Sequence, residues 1–336
     1  MRVLMKCGAA GAICFAAIFA VAACGHDTGS TNAASAKSPA PAVGSGASQA
    51  GSDAAPPASA TGGFDGVAAY NYTAKLVSFG PRPPASDAIH HTRDYIRTEL
   101  QSFGCQVDEH DFHASTPVGD LAMKNIVAKV PGAGQGVILL LTHYDTLRMD
   151  NFVGAVDGGS SSGLMLEMAR VLCGEKKQQP NSVWIAFLDG EEALVDWNKN
   201  NDNTYGSREM AASLANSGEL KRIRAVVLAD MVGPKNLKIQ RDSYSTPWLT
   251  SLVWKTADRL GYKDIFVPEE TGIEDDHQPF LARKVPAVDI IDLADYQAAG
   301  YWHTTQDTMD KVSARSLAIV GYVILDTVSE LQRKFH

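Results

Sequence analysis

Glu191 and Glu192 stand side by side in FLDGEEALVDW, directly after the apolar run VWIAFL, with Trp197 five residues past the second. Other apolar runs end in polar groups as well. His143-Tyr144-Asp145 follows ILLLT, Asp230 follows AVVLA, and Trp302-His303 comes after VDIID and its loop. Asp157 sits in GAVDGGSSSG, ahead of a helical pattern. Singly, each has an ordinary explanation: Asp157 as a helix N-cap, the glutamates as charges suited to a helix N-terminus, His143 or His303 as a hydrogen-bonded core histidine. Together, two histidines and several carboxylates at strand ends supply the imidazole and carboxylate ligands that zinc accepts. In the first turn of a helix, adjacent side chains diverge, so one glutamate can bind metal while the other stays free as acid or base. Its proton affinity is then set by a nearby cation and nearby carboxylates acting in opposite directions.

Alternating elements are needed to bring these residues together. Amphipathic patterns predict helices near Val67–Phe79 and Ser86–Phe103, divided by GPRPP, then strands at Cys105–His113, Lys124–Val130 and Val137–Thr142. Helix Ser160–Cys173 precedes strand Ser182–Leu188, helix Gly206–Ser217 precedes strand Arg224–Leu228, and helix Pro247–Leu260 precedes strand Asp264–Val267. A short strand at Ala287–Ile291 and a closing helix at Ala314–Leu331 complete residues 64–336 as one domain. Strands in hairpin order followed by alternating elements imply an α/β sandwich with a mixed central sheet. Sites in such sheets form at the carboxyl ends of strands.

Residues 1–23 read as a signal peptide, with Arg2 and Lys6 ahead of the apolar stretch Ala9–Ala20. Val21-Ala22-Ala23-Cys24 is similar to the bacterial lipoprotein signal, which makes Cys24 a lipidated first residue and anchors the protein in the cell envelope, at the outer membrane or the periplasmic face. Residues 24–63 are rich in Ala, Ser, Gly and Pro and poor in large apolar side chains, so a disordered tether is expected there. The net charge of −8 becomes more negative once Arg2 and Lys6 are removed, which argues against nucleic acid as a partner. A monomer is expected. Cys105 and Cys173 are expected as buried thiols, a single disulfide being the alternative in an oxidising compartment.

HYDT, GAVDGGSSSG, FLDGEEA, YGSR, LADMVG, EDDHQPFL and YWHT occur in an order that resembles the zinc aminopeptidase clan called M28, over about residues 64–336. Trp197, the run Ile273-Glu274-Asp275-Asp276-His277 and the Trp302-His303 pair resemble the glutaminyl-peptide cyclotransferases within it. The resemblance implies a three-layer αβα sandwich of the zinc-aminopeptidase, phosphorylase/hydrolase-like kind. It implies Asp157, Glu192 and His303 as zinc ligands and Glu191 as the acid/base group. His143 and Asp230, with Asp157 bridging, match the ligands of a second metal in the aminopeptidases, so one zinc or two remain open. One is favoured, because in the cyclotransferases the counterparts of Asp230 and Asp275 share a hydrogen bond, which withdraws Asp230 from metal binding.

The activity that this resemblance implies is cyclisation of N-terminal glutamine on peptides or proteins, with Glu191, Asp230 and Asp275 handling protons and Trp197, Trp302 and Ile273 contacting substrate. The alternative is an aminopeptidase that hydrolyses N-terminal residues with Glu191 as base. Some positions depart from the animal cyclotransferases. Thr142 and Ser162 stand where those enzymes have cysteines, Asp289 stands where they have a histidine, and the loop Ala294–Tyr301 looks unlike theirs.

Overall fold

The computed structural model describes residues 54–175 and 178–336; the signal segment, Cys24 and most of the expected tether lie outside them. Helices α1 (Gly66–Val77) and α2 (Asp87–Ser102) come first. Asp65 caps α1 by accepting from the amides of Val67 and Ala68, and the Ser86 hydroxyl caps α2 by accepting from Ile89. The hairpin β1 (Gln106–Thr116) and β2 (Gly119–Val130) is followed by β3 (Val137–His143), α3 (Gly159–Gly174), β4 (Ser182–Leu188), α4 (Tyr205–Ser217) and β5 (Ile223–Asp230). Then come β6 (Ile239–Asp242), α5 (Pro247–Arg259), β7 (Phe266–Thr271), α6 (Gln278–Leu281), β8 (Ala287–Ile291), α7 (Leu293–Ala298) and α8 (Ala314–Lys334).

The main sheet has the order β1-β2-β4-β3-β5-β8. The first two pairings are antiparallel; β4, β3, β5 and β8 run parallel, so their carboxyl ends share one edge. Side chains alternate between two cores. Ile138 and Leu140 of β3 face the core that includes α1, α2, α3 and α8, whereas Val137, Leu139 and Leu141 face Met210 and Ala211 of α4. All seven residues of β3 are buried, as a central parallel strand covered by helices on both faces requires. No helix among the described residues is long and apolar enough to cross a membrane.

Several expectations need correction. Folded structure begins before residue 64: Ala58–Ala60 forms a 3-10 turn, and Thr61 is buried, its hydroxyl donating to the Phe64 carbonyl at 2.6 Å. The strand expected at Asp264–Val267 lies at Phe266–Thr271, because a turn that closes with Ile265 N on Tyr262 O at 3.0 Å occupies the preceding residues. It pairs with β6, which four residues with one apolar side chain do not advertise. Helix α6 stops at Leu281, and Lys284 just beyond it takes the left-handed region at φ 63°.

Cys105 and Cys173 are not thiols but a disulfide, joining the turn after α2 to the end of α3 across 68 residues. Closing a loop of that length removes enough unfolded-state entropy to stabilise the fold by about 4 kcal/mol. Cys105→Ala is therefore expected to lower the urea unfolding free energy by about that amount under non-reducing conditions; a loss below about 1 kcal/mol would show that the bridge contributes little.

Candidate metal centre and its cavity

Two groups of side chains meet at the carboxyl edge of the sheet. Asp157, Glu192 and His303 bring ligand atoms within 4.8 Å of one another, and His143, Asp157 and Asp230 do the same. In the first group His303 Nε2 lies 3.4 Å from both Asp157 Oδ2 and Glu192 Oε2. A tetrahedral ion bonded at about 2.0–2.1 Å spaces its ligands roughly 3.3–3.4 Å apart, so these separations suit a shared cation better than direct hydrogen bonds. Asp157 Oδ2 and Glu192 Oε1 are buried with no hydrogen-bond partner in the protein, a state that costs free energy unless a cation completes it. The donor set of two carboxylates and one imidazole matches zinc chemistry.

The second group is built differently. His143 Nε2 is 3.0 Å from Asp230 Oδ1, a hydrogen-bond distance, and the same oxygen accepts the Met231 amide at 2.7 Å. His143 Nε2 also stands 3.4 Å from Asp157 Oδ1. Asp230 is thus engaged by protein donors, whereas Asp157 Oδ2 is not.

The local chain is shaped to present these groups. Asp157 ends the loop into α3, and its amide, with that of Val156, donates to the Asp307 carboxylate at 3.1 and 2.8 Å. Gly158 follows at φ 71°, where an added Cβ would lie 2.8 Å from His143 Cε1, so only glycine lets the loop pass this close. Met231 and His303 also adopt positive φ, 47° and 52°. Left-handed backbone at two bulky residues is strain that the surrounding contacts must hold in place.

Glu191 and Glu192 are not in the first turn of a helix, as the sequence suggests. They lie in the irregular stretch between β4 and α4, and their divergence is imposed from outside. The buried Asp145 carboxylate accepts the Glu191 amide on Oδ1 at 3.1 Å and the Glu192 amide on Oδ2 at 3.3 Å, fixing both backbones at once. Asp202 performs the same service for Leu194, Val195 and Asp196. The Ser162 hydroxyl donates to the His143 carbonyl at 2.7 Å.

Electrostatics set the two glutamates apart. Burial pushes the Glu191 carboxyl well above the usual range; His143 opposes this, while Glu192 and Asp275 add to it. Burial and Asp157 raise Glu192 to about 7 against the pull of His303. Burial also raises Asp157, but contacts with His143 and His303 outweigh it and leave that group lowered. Burial opposes a raised His303, yet Asp157 and Glu192 bring it to about 10. Asp275 is pushed well up by burial and then by Asp230, and its Oδ2 has no hydrogen-bond partner in the protein. So many carboxylates in one buried place call for positive charge, which a divalent cation would supply.

A cavity of about 610 Å³ opens onto this edge, lined in part by Glu191, Asp275, Trp197, Ile273 and Trp302. Trp302 stacks on His303 with ring centroids 4.1 Å apart. All ten residues singled out in the sequence therefore belong to this edge: nine line the cavity, and His143 lies beneath it.

Arg82, Asp202 and Asp307 are positioning residues that the sequence does not announce, and Asp145, visible there only as a polar group at a strand end, acts in the same way. Arg82 is fully buried and donates to the carbonyls of Tyr144, Val153 and Gly154 at 2.8, 2.5 and 3.0 Å, tying both loops of the metal centre together. Its place inside GPRPP is the available signal, since a breaker rich in proline rarely needs a cation.

A family model of peptidase family M28 matches residues 125–328. The chain is 35% identical over 257 residues to a glutaminyl-peptide cyclotransferase-like protein of Mus musculus, a match covering 68% of this chain and 66% of that protein, about two thirds of its length. Among solved structures it is similar to a glutaminyl cyclase from an Acidobacteriales bacterium, with a TM-score of 0.76 and 39% identity over 81% of this chain and 96% of the other. A Zn-dependent exopeptidase from Parabacteroides distasonis is similar as well, with a TM-score of 0.70 and 28% identity over 79% of this chain and 98% of the other.

Proposed function

The chain belongs to peptidase family M28, and we propose that it cyclises the N-terminal glutamine of peptides and proteins to pyroglutamate with release of ammonia. The α-amine attacks the γ-carboxamide carbon, the ring C–N bond forms, and the bond to the amide nitrogen breaks. A zinc ion held by Asp157, Glu192 and His303 would supply Lewis-acid polarisation of the carboxamide oxygen. Because the nucleophile is tethered to its target, the protein's main task is to fold the side chain into an attacking rotamer, and the apolar wall of Trp197, Ile273 and Trp302 restricts it to that. Glu191 takes a proton from the attacking amine and returns it to the leaving nitrogen. Asp230 and Asp275, which line the same cavity, steady that exchange.

The observation that carries this reading over hydrolysis is the asymmetry of the two ligand groups. Asp157 Oδ2 faces Glu192 and His303 without a protein donor, while Asp230 is occupied by His143 and by the Met231 amide. That asymmetry supports one metal per chain. A second reading, a two-metal aminopeptidase, draws on the compact His143, Asp157 and Asp230 group. Mass spectrometry of a Gln-initiated peptide after incubation separates them: cyclisation removes ammonia and leaves every residue in place, whereas release of free glutamine and a shortened peptide would establish hydrolysis.

We further propose that Cys24 is acylated and that the enzyme works in the bacterial cell envelope. The Cys105–Cys173 bridge supports an oxidising compartment. Cys24→Ser is expected to move the protein from the membrane fraction to the soluble fraction on cell fractionation; retention in the membrane would rule out acylation as the anchor.

A further inference from the structure

The cavity beside the metal centre is strongly anionic, lined by Glu191, Glu192, Asp230, Glu274 and Asp275 among others, and it has a single Arg or Lys, Arg148. Arg148 is exposed and makes no hydrogen bond or ion pair with any described residue. A guanidinium without a partner keeps its planar pair of donors available for a ligand carboxylate.

The backbone that carries it is fixed. Met149 N donates to the Leu147 carbonyl at 2.8 Å and Phe152 N to the Met149 carbonyl at 3.2 Å, with Asn151 turned to φ 61°. Phe152 is fully buried and meets the His303 ring edge to face at 6.1 Å, so the turn is anchored on the metal centre itself. Arg148 and Met149 also line a second cavity of about 600 Å³, otherwise walled by Pro81, Pro83, Ser86, Asp150 and Asn151. The two cavities therefore share Arg148 as a wall. Glu274, the exposed acid of the first cavity, lies on a different side, beside Trp197 and Tyr244.

We infer that Arg148 is a specificity-determining residue that favours peptides with an acidic side chain at the second or third position and disfavours lysine or arginine there. The inference rests on reading the first cavity as a site for a peptide N-terminus. The residues after the N-terminal one leave along the second cavity and pass the guanidinium. An exposed contact of this kind is screened, so discrimination between acid and base should be on the order of tenfold in kcat/KM and shrink with salt.

The test uses Gln-initiated peptides that differ only in carrying Glu, Ala or Lys at position two or at position three. The readout is the Glu-to-Lys ratio of kcat/KM on one enzyme preparation, which cancels any difference in the fraction of folded enzyme. Wild type should give a ratio of about ten at one of the two positions, Arg148→Gln a ratio near one, and Arg148→Glu an inverted ratio, with Glu274→Gln preserving the wild-type preference. A ratio near one at both positions in wild type, a ratio unmoved by Arg148→Glu, or a preference that tracks Glu274 instead would each overturn the assignment of Arg148. If the alanine peptides are not cyclised by wild type, the proposed activity fails, an outcome distinct from loss of charge preference.

Discussion

Glu191→Gln is expected to lower kcat for cyclisation by about 10²–10⁴-fold while leaving metal content unchanged. Glutamine keeps the size and polarity of the side chain but cannot accept the proton of the attacking amine or return it to the leaving nitrogen. The amides of residues 191 and 192 remain held by Asp145, so the loop keeps its course. Metal is retained because Asp157, Glu192 and His303 are untouched, and Glu191 belongs to neither group of converging ligand atoms. Steady-state kinetics with metal analysis of the same sample checks both halves. Activity within tenfold of wild type would remove Glu191 from proton transfer, and loss of metal would make it a ligand.

Asp157→Ala is expected to abolish both activity and metal binding. Asp157 takes part in both ligand groups, so no arrangement with one ion or two survives its loss. The fall in zinc affinity should exceed the roughly 10–100-fold expected on loss of a group merely orienting a ligand. Competition with a chelator measures it. His143→Ala supplies the contrast: Asp157, Glu192 and His303 remain, so zinc should stay bound while turnover falls. Equal loss of metal in both variants would instead argue for a two-metal centre.

Much of this site is legible in the sequence because its residues succeed strands whose apolar runs are unmistakable. Ser182–Leu188 and Ala287–Ile291 are strands with the limits expected, since burial on both faces leaves a continuous apolar signal. For Glu191 and Glu192 the sequence indicates the right strand end but the wrong local structure. Their charge suggests a helix start, whereas the stretch is held by Asp145, 46 residues away in sequence from Glu191, which periodicity cannot reveal. Asp307, whose two oxygens secure Val156 and Asp157, is similarly invisible, for a buried acceptor of backbone amides and a solvated acid are the same letter. The disulfide is hidden for a related reason: two cysteines 68 residues apart carry no mark of proximity until α2 and α3 pack together. Strand β6 escapes because it holds one apolar residue, and β7 is misplaced because Pro268, Glu269 and Glu270 are exposed and break the apolar alternation.

The most direct test is anomalous diffraction at the zinc edge from crystals of the purified protein. One peak per chain is predicted, with Asp157, Glu192 and His303 bonded at about 2.0–2.2 Å and Glu191 outside the coordination sphere. Two peaks bridged by Asp157 with His143 and Asp230 as ligands, or one peak with Glu191 bonded to it, would contradict the single-metal centre and the proton-carrying glutamate on which the proposed cyclisation depends.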